Sequence, residues 1–135
     1  MIEPGPHSLD EHRPVLQADG SADLRSITPD FYEKLAHDYA SFKGHVLVQR
    51  FEFSEAWPTW EVHPEGDEFV YLLEGDTDFL LLVDGQQKVV RVERSGDFVI
   101  VPKGIWHTAR PRTKTSMLFI TPGEGTENAE QPPGL

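Results

Sequence analysis

Successive side chains of a strand point to opposite faces, so alternating apolar and polar residues mark a sheet with one buried side. From residue 44 onward the chain reads this way. Residues 45–53 alternate, 69–73 are short and apolar, and 79–83 and 88–92 flank Asp84-Gly85. That dipeptide predicts a tight hairpin, because both central positions tolerate positive φ. Residues 98–101 and 116–121 complete the series. Glu74-Gly75-Asp76, Ser95-Gly96-Asp97 and Pro102-Lys103-Gly104 supply turn chemistry between them. Many short strands at regular spacing predict an all-β sandwich or barrel.

The pattern changes on either side. Thr28-Pro29-Asp30 predicts a helix start, with Thr28 as cap, Pro29 where its missing N–H costs nothing, and Asp30 complementing the dipole. Phe31, Leu35 and Tyr39 then recur at helical spacing, so residues 28–43 are expected to form a helix flanking the strands, without a catalytic role. Residues 1–27 are expected to be a polar, extended or loosely docked arm. The Gly- and Pro-containing stretch 122–135 is expected to be an irregular tail.

With 135 residues, one domain is expected. There is no cysteine, so any metal must be held by imidazole and carboxylate. Twelve basic against 23 acidic residues give −11, a field that repels phosphate backbones and anionic lipid. Nucleic acid and membrane surfaces are therefore not expected partners. The first seventeen residues carry no apolar run that reads as a signal or a span, and a cytoplasmic location is expected.

Two stretches carry candidate chemistry. In Glu61-Val62-His63-Pro64-Glu65-Gly66-Asp67-Glu68, residues 61 and 63 project to one face of a strand, and Pro64 and Gly66 turn the chain so that Glu68 returns on a neighbouring strand. From Gly96 to His107, an apolar strand runs into Pro102-Lys103-Gly104, and a histidine emerges on the next strand. These stretches resemble the two motifs of the cupin family. His63-x4-Glu68-x6-Gly75 matches the second half of G-x5-H-x-H-x3-4-E-x6-G, and Gly96-x5-Pro102-x-Gly104-x2-His107 matches G-x5-P-x-G-x2-H-x3-N. The resemblance spans residues 44–121 and implies a double-stranded β-helix, or jelly-roll, barrel. Glu61 stands where the family has its first histidine, Glu55 where it has the leading glycine, and Pro111 where it has the closing asparagine.

The resemblance implies one divalent metal held by Glu61, His63, Glu68 and His107. Two imidazoles and two carboxylates suit iron or manganese ahead of zinc or nickel. Glu61 has three readings: a metal ligand, a general base beside the metal, or a solvent-facing carboxylate. His63 and His107 also fit a cupin that has lost its metal. Trp57, Trp60 and Trp106 are expected to pack, with Trp60 or Trp106 lining an entrance for a planar substrate as the minor alternative. Phe51, Phe53, Tyr71 and Phe119 are expected in the core, and Glu65 and Asp67 on the loop surface.

The function implied is a metal-dependent enzyme, dioxygenase- or isomerase-like, acting on a small organic molecule that chelates through oxygen. The alternative is a binding or sensing module without turnover. The resemblance also implies a homodimer formed through edge strands.

Overall fold

The computed structural model describes residues 1–134. Its elements are β1 (His12–Leu16), β2 (Ala22–Ser26), α1 (Phe31–Asp38), β3 (Val46–Phe53), β4 (Trp60–Val62), β5 (Glu68–Glu74), β6 (Thr77–Val83), β7 (Gln86–Val92), β8 (Phe98–Val101), β9 (His107–Pro111), β10 (Thr115–Pro122) and β11 (Glu127–Ala129). They form two antiparallel sheets. One has six strands in the order β2-β1-β3-β10-β5-β8, the other five in the order β11-β4-β9-β6-β7.

Alternation decides which side chains meet between the sheets. Val70 and Leu72 of β5 point inward with Val99 and Val101 of β8 and with Met117 and Phe119 of β10. Phe79 and Leu81 of β6, Val92 of β7 and Ala109 of β9 close on them from the other sheet. Strand β6 is buried on both faces, since Leu80 and Leu82 pack with Trp60 and the half-buried Trp106 in a separate cluster. The β6–β7 hairpin turns at Asp84 (φ 51°) and Gly85 (φ 76°), with Val83 opposite Gln86, as the Asp-Gly pair predicts. Gly75 (φ 114°) is required for a second reason: a side chain there would stand 2.6 Å from the Lys114 carbonyl oxygen.

The expected barrel is met only as far as a sandwich. No ladder joins one sheet to the other among the described residues, and β2, β8, β11 and β7 remain sheet edges. Two twisted sheets bury their inner faces by stacking alone, without closure.

The flanks differ from their expected form. Within residues 1–27, β1 and β2 pair as a hairpin and Val15, fully buried, sits opposite Leu47 at the margin of the six-stranded sheet. Asp19-Gly20 between the two strands is the turn signal for it. The helix is shorter than residues 28–43. The Phe31 N–H donates to the Thr28 carbonyl in a turn, Asp30 takes the cap position, and the Thr28 hydroxyl donates to the Asp30 carboxylate. In the tail, β11 pairs with β4, placing Asn128 opposite Glu61. Leu135, the end of that tail, lies outside the described residues.

Phe31 and Leu35 of α1 pack on Val15 and Leu47. Leu47 lies opposite Thr121, and Gln49 opposite Phe119, so these residues share the inner face of the six-stranded sheet. The helix therefore covers that inner face at β1 and β3. Its end is tied down by Arg25, which pairs with Asp23 at 2.7 Å and Asp38 at 2.5 Å, and by the Tyr39 hydroxyl, which donates to Asp23 at 2.7 Å.

Candidate metal centre

All four residues that the resemblance implied as ligands converge. Glu61 lies on β4 opposite His107, the first residue of β9. His63 follows β4 directly, and the chain turns through Pro64 and Gly66 so that Glu68 opens β5 in the facing sheet. The Gly104 N–H donates to the His63 carbonyl at 2.9 Å, which locks the second motif's turn onto the first motif. The Lys103 N–H does the same to the Asp67 carboxylate at 2.8 Å.

One ligand atom from each of Glu61, His63 and His107 lies within 4.8 Å of the others. Glu68 stands between the imidazoles, with Oε2 3.2 Å from His63 Nε2 and Oε1 3.2 Å from His107 Nε2. Glu61 Oε1 is 3.6 Å from His63 Nε2. His63, Glu68 and His107 are all buried, whereas the Glu61 side chain is 29% exposed.

The surrounding hydrogen bonds set the tautomers. The Thr126 hydroxyl donates to the Gly123 carbonyl, so its oxygen accepts the Nδ1–H of His63 at 2.8 Å. The Ile105 carbonyl can only accept, so His107 donates to it from Nδ1 at 3.1 Å. Both Nε2 atoms are thereby left as bare lone pairs aimed at the centre. The Thr121 hydroxyl donates to Glu68 Oε2 at 2.6 Å, leaving Oε1 bare. His63 Nε2, Glu68 Oε1 and His107 Nε2 are indeed buried without a hydrogen-bond partner among the described residues.

Three buried lone pairs facing one another need a cation. Two donors each about 2.1 Å from a metal, at angles of 90–109°, stand about 3.0–3.4 Å apart, and the two contacts made by Glu68 fall in this range. The donor set therefore fits one divalent metal ion. Without it a proton must serve, and the ionisation equilibria reflect this. Burial raises Glu68, but its contacts with His107 and His63 outweigh that and hold the carboxyl at about 2. Burial lowers His107, but the Glu68 carboxylate beside it prevails and raises it. Burial, with the Glu68 charge adding to it, pushes Glu61 up against the partial offset of the imidazoles.

The centre opens on a cavity of about 1160 Å³ bounded by α1, β3, β10 and the loop 123–126, with Glu61, His63 and Glu68 in its wall. Trp57 lines it, while Trp60 and Trp106 belong to the cluster with Leu80 and Leu82 and take no part. Phe119 is core and Phe53 packs against it, as expected, but Phe51 is partly exposed and Tyr71 points to the outer face opposite Val70 and Leu72. Glu65 and Asp67 are exposed, as expected. Thr121 and Thr126 escaped sequence reasoning, because a threonine in a strand or tail gives no signal of what its hydroxyl will meet.

The family profile described as "Cupin domain" matches residues 47–122, and the chain belongs to the cupin family. The uncharacterized protein YdbB of Bacillus subtilis (strain 168) is 34% identical over 97 residues, 72% of this chain and 81% of that protein. Among solved structures, the oxalate decarboxylase of Bacillus subtilis, studied for its Mn(II) centres, aligns with a TM-score of 0.53 at 17% identity, covering 62% of this chain and 23% of that one. That likeness bears on the fold alone. A cupin-2 domain containing protein from Shewanella frigidimarina aligns with a TM-score of 0.49 at 18% identity, over 57% of this chain and 70% of the other.

Proposed function

We propose that the protein is a metal-dependent cupin enzyme, dioxygenase- or isomerase-like, acting on a small organic molecule that chelates through oxygen. Glu61, His63, Glu68 and His107 hold one divalent metal, with iron or manganese favoured over zinc or nickel by the two carboxylates. The observation that carries this reading is the trio of buried lone pairs on His63, Glu68 and His107 without a hydrogen-bond partner among the described residues, with His63 and Glu68 in the wall of a large cavity. Bound there, the metal would supply Lewis-acid polarisation or a site for O₂.

The chain's own contribution is positional. Thr126 and the Ile105 carbonyl hold the imidazoles with Nε2 inward, and Thr121 orients Glu68. Glu61 faces the cavity with its carboxyl raised by burial, so beside its role as ligand it is the group suited to accept a proton from substrate. A homodimer and a cytoplasmic location belong to the same proposal. The dimer is supported by Phe98 and Ile100, exposed on the edge strand β8, and light scattering tests it. No helix among the described residues is long and apolar enough to cross a membrane.

Elemental analysis of untagged wild type, His107→Ala and Glu61→Ala decides the central claim. Near-stoichiometric metal in wild type that disappears in His107→Ala is expected. Metal retained in Glu61→Ala assigns Glu61 as base, and metal lost assigns it as ligand. Wild type that holds no metal even after reconstitution overturns the enzyme reading and leaves a binding module.

A further inference from the structure

The cavity, read as the ligand chamber of the proposed enzyme, has a chemical character of its own. Its wall carries the rings of Tyr39, Phe42, Phe53, Trp57 and Phe119, and no lysine or arginine lines it, although the chain has twelve. The buried guanidinium of Arg13 does not line it; it lies over the rings of Phe31 (4.6 Å), Phe51 (5.0 Å) and Tyr32 (5.6 Å), the last two of which are part of the cavity wall.

Four carboxylates do line the cavity: Glu52, Glu61, Glu68 and Glu124. Glu52 is neutralised by Arg50 at 3.1 Å and Lys114 at 3.6 Å. Glu61 and Glu68 belong to the metal centre, where a divalent ion balances both charges. Glu124 has no ion-pair partner among the described residues, and its Oε2 is buried without a hydrogen bond. Its loop runs between the aromatic wall and the centre. A side chain at Gly123 would come within 3.4 Å of Phe42, and Thr126 holds His63. Away from the metal centre, a ligand anion would lose its hydration with no lysine or arginine in the wall to replace it and would face Glu124. A ligand cation would meet a carboxylate without an ion-pair partner among the described residues and a wall rich in aromatic rings.

We propose, resting on that reading of the cavity, that the chamber takes an organic cation, an ammonium on an aromatic or branched apolar body. The ammonium sits at Glu124, the apolar body lies against the wall of Tyr39, Phe42, Phe53 and Trp57, and the oxygen atoms reach towards the metal centre.

Titration calorimetry with phenethylammonium, 2-phenylethanol and 3-phenylpropionate tests this. It is read on the protein with its metal, where the ion balances Glu61 and Glu68, and repeated on EDTA-treated protein to reveal any carboxylate that the metal itself holds. Phenethylammonium should bind about tenfold or more tightly than 3-phenylpropionate, with the alcohol between them. Glu124→Gln should bring the ammonium down to the level of the alcohol and leave the alcohol unchanged, and Glu124→Asp should keep much of the preference. Unaltered metal content and melting temperature in both variants show that the fold is kept. Equal or tighter binding of the propionate, a preference that survives Glu124→Gln, or no binding of any probe would overturn the proposal. The preference present in a protein that never takes up metal would sink the enzyme reading alone. Normal metal uptake with no preference would sink this one alone.

Discussion

The two halves of the sandwich are built from the same strands and filled differently. In the closed half, side chains of both sheets meet directly: Leu72, Phe79, Val92, Ala109 and Met117 are at most 1% exposed. In the other half, α1 takes the place of a second sheet over the inner face of β1 and β3. One eight-residue helix roofs that surface without filling the space beneath it, and the cavity of about 1160 Å³ remains. Strand β10 passes from one regime to the other, with Met117 in the sealed core and Thr121, four residues on, bonded to Glu68 at the cavity wall. Polar groups with bare lone pairs thus sit buried at the seam, where packing stops beside the cavity.

The sharpest way to break the contrast is to remove a ring from the sealed half. Phe79→Ala should cost about 3–5 kcal/mol, read from urea denaturation; a loss under about 1 kcal/mol would mean the closed half tolerates voids as the open half does. Acid probes the seam next. The folded carboxyl of Glu68 at about 2 lies below its ordinary value of 4.5. The stability it contributes is therefore present above 4.5 and lost as pH falls towards 2. The urea midpoint of metal-free wild type should drop more steeply across that window than that of Glu68→Gln, and parallel curves would contradict the buried ionised carboxylate.

A smaller effect is expected from Thr126→Val, which removes the acceptor for His63 Nδ1–H. Metal affinity should fall about 10–100-fold in competition with a chelator while the melting temperature of the metal-free protein hardly moves. An unchanged affinity would show that the tail does not orient His63. Least of all, Tyr32→Ala, an exposed residue of α1 at the cavity's rim, should cost about 1 kcal/mol, mostly the lost bond from its hydroxyl to Gln49. A cost as large as that of Phe79→Ala would mean that α1 is core and not cover.

Much of the candidate site is legible from residue spacing because it is written over short stretches. Period two from Glu61 on β4 to His63 just past it puts both on one side, the turn through Pro64 and Gly66 returns Glu68, and Pro102-x-Gly104 delivers His107. Trp57 is hard to tell from Trp60 and Trp106 because all three are tryptophans flanking the same motifs. Which of them faces the cavity depends on pairings between strands far apart in the chain. The hairpin β1–β2 carries its Asp19-Gly20 signal, but polar neighbours mask two strands whose burial depends on a helix and a sheet edge elsewhere.

The strand rhythm, the Asp84-Gly85 turn, the four converging residues and a candidate site without thiolates were all set by the order of residues. They follow from alternation, backbone sterics and residue chemistry, which act over a few positions. Long-range packing settled the rest: the sheets stack without closing, β11 returns to β4, Thr121 and Thr126 bond Glu68 and His63, and Glu124 lines an aromatic chamber without an ion-pair partner among the described residues. Those outcomes depend on which distant segments share a surface, and no local period encodes that choice.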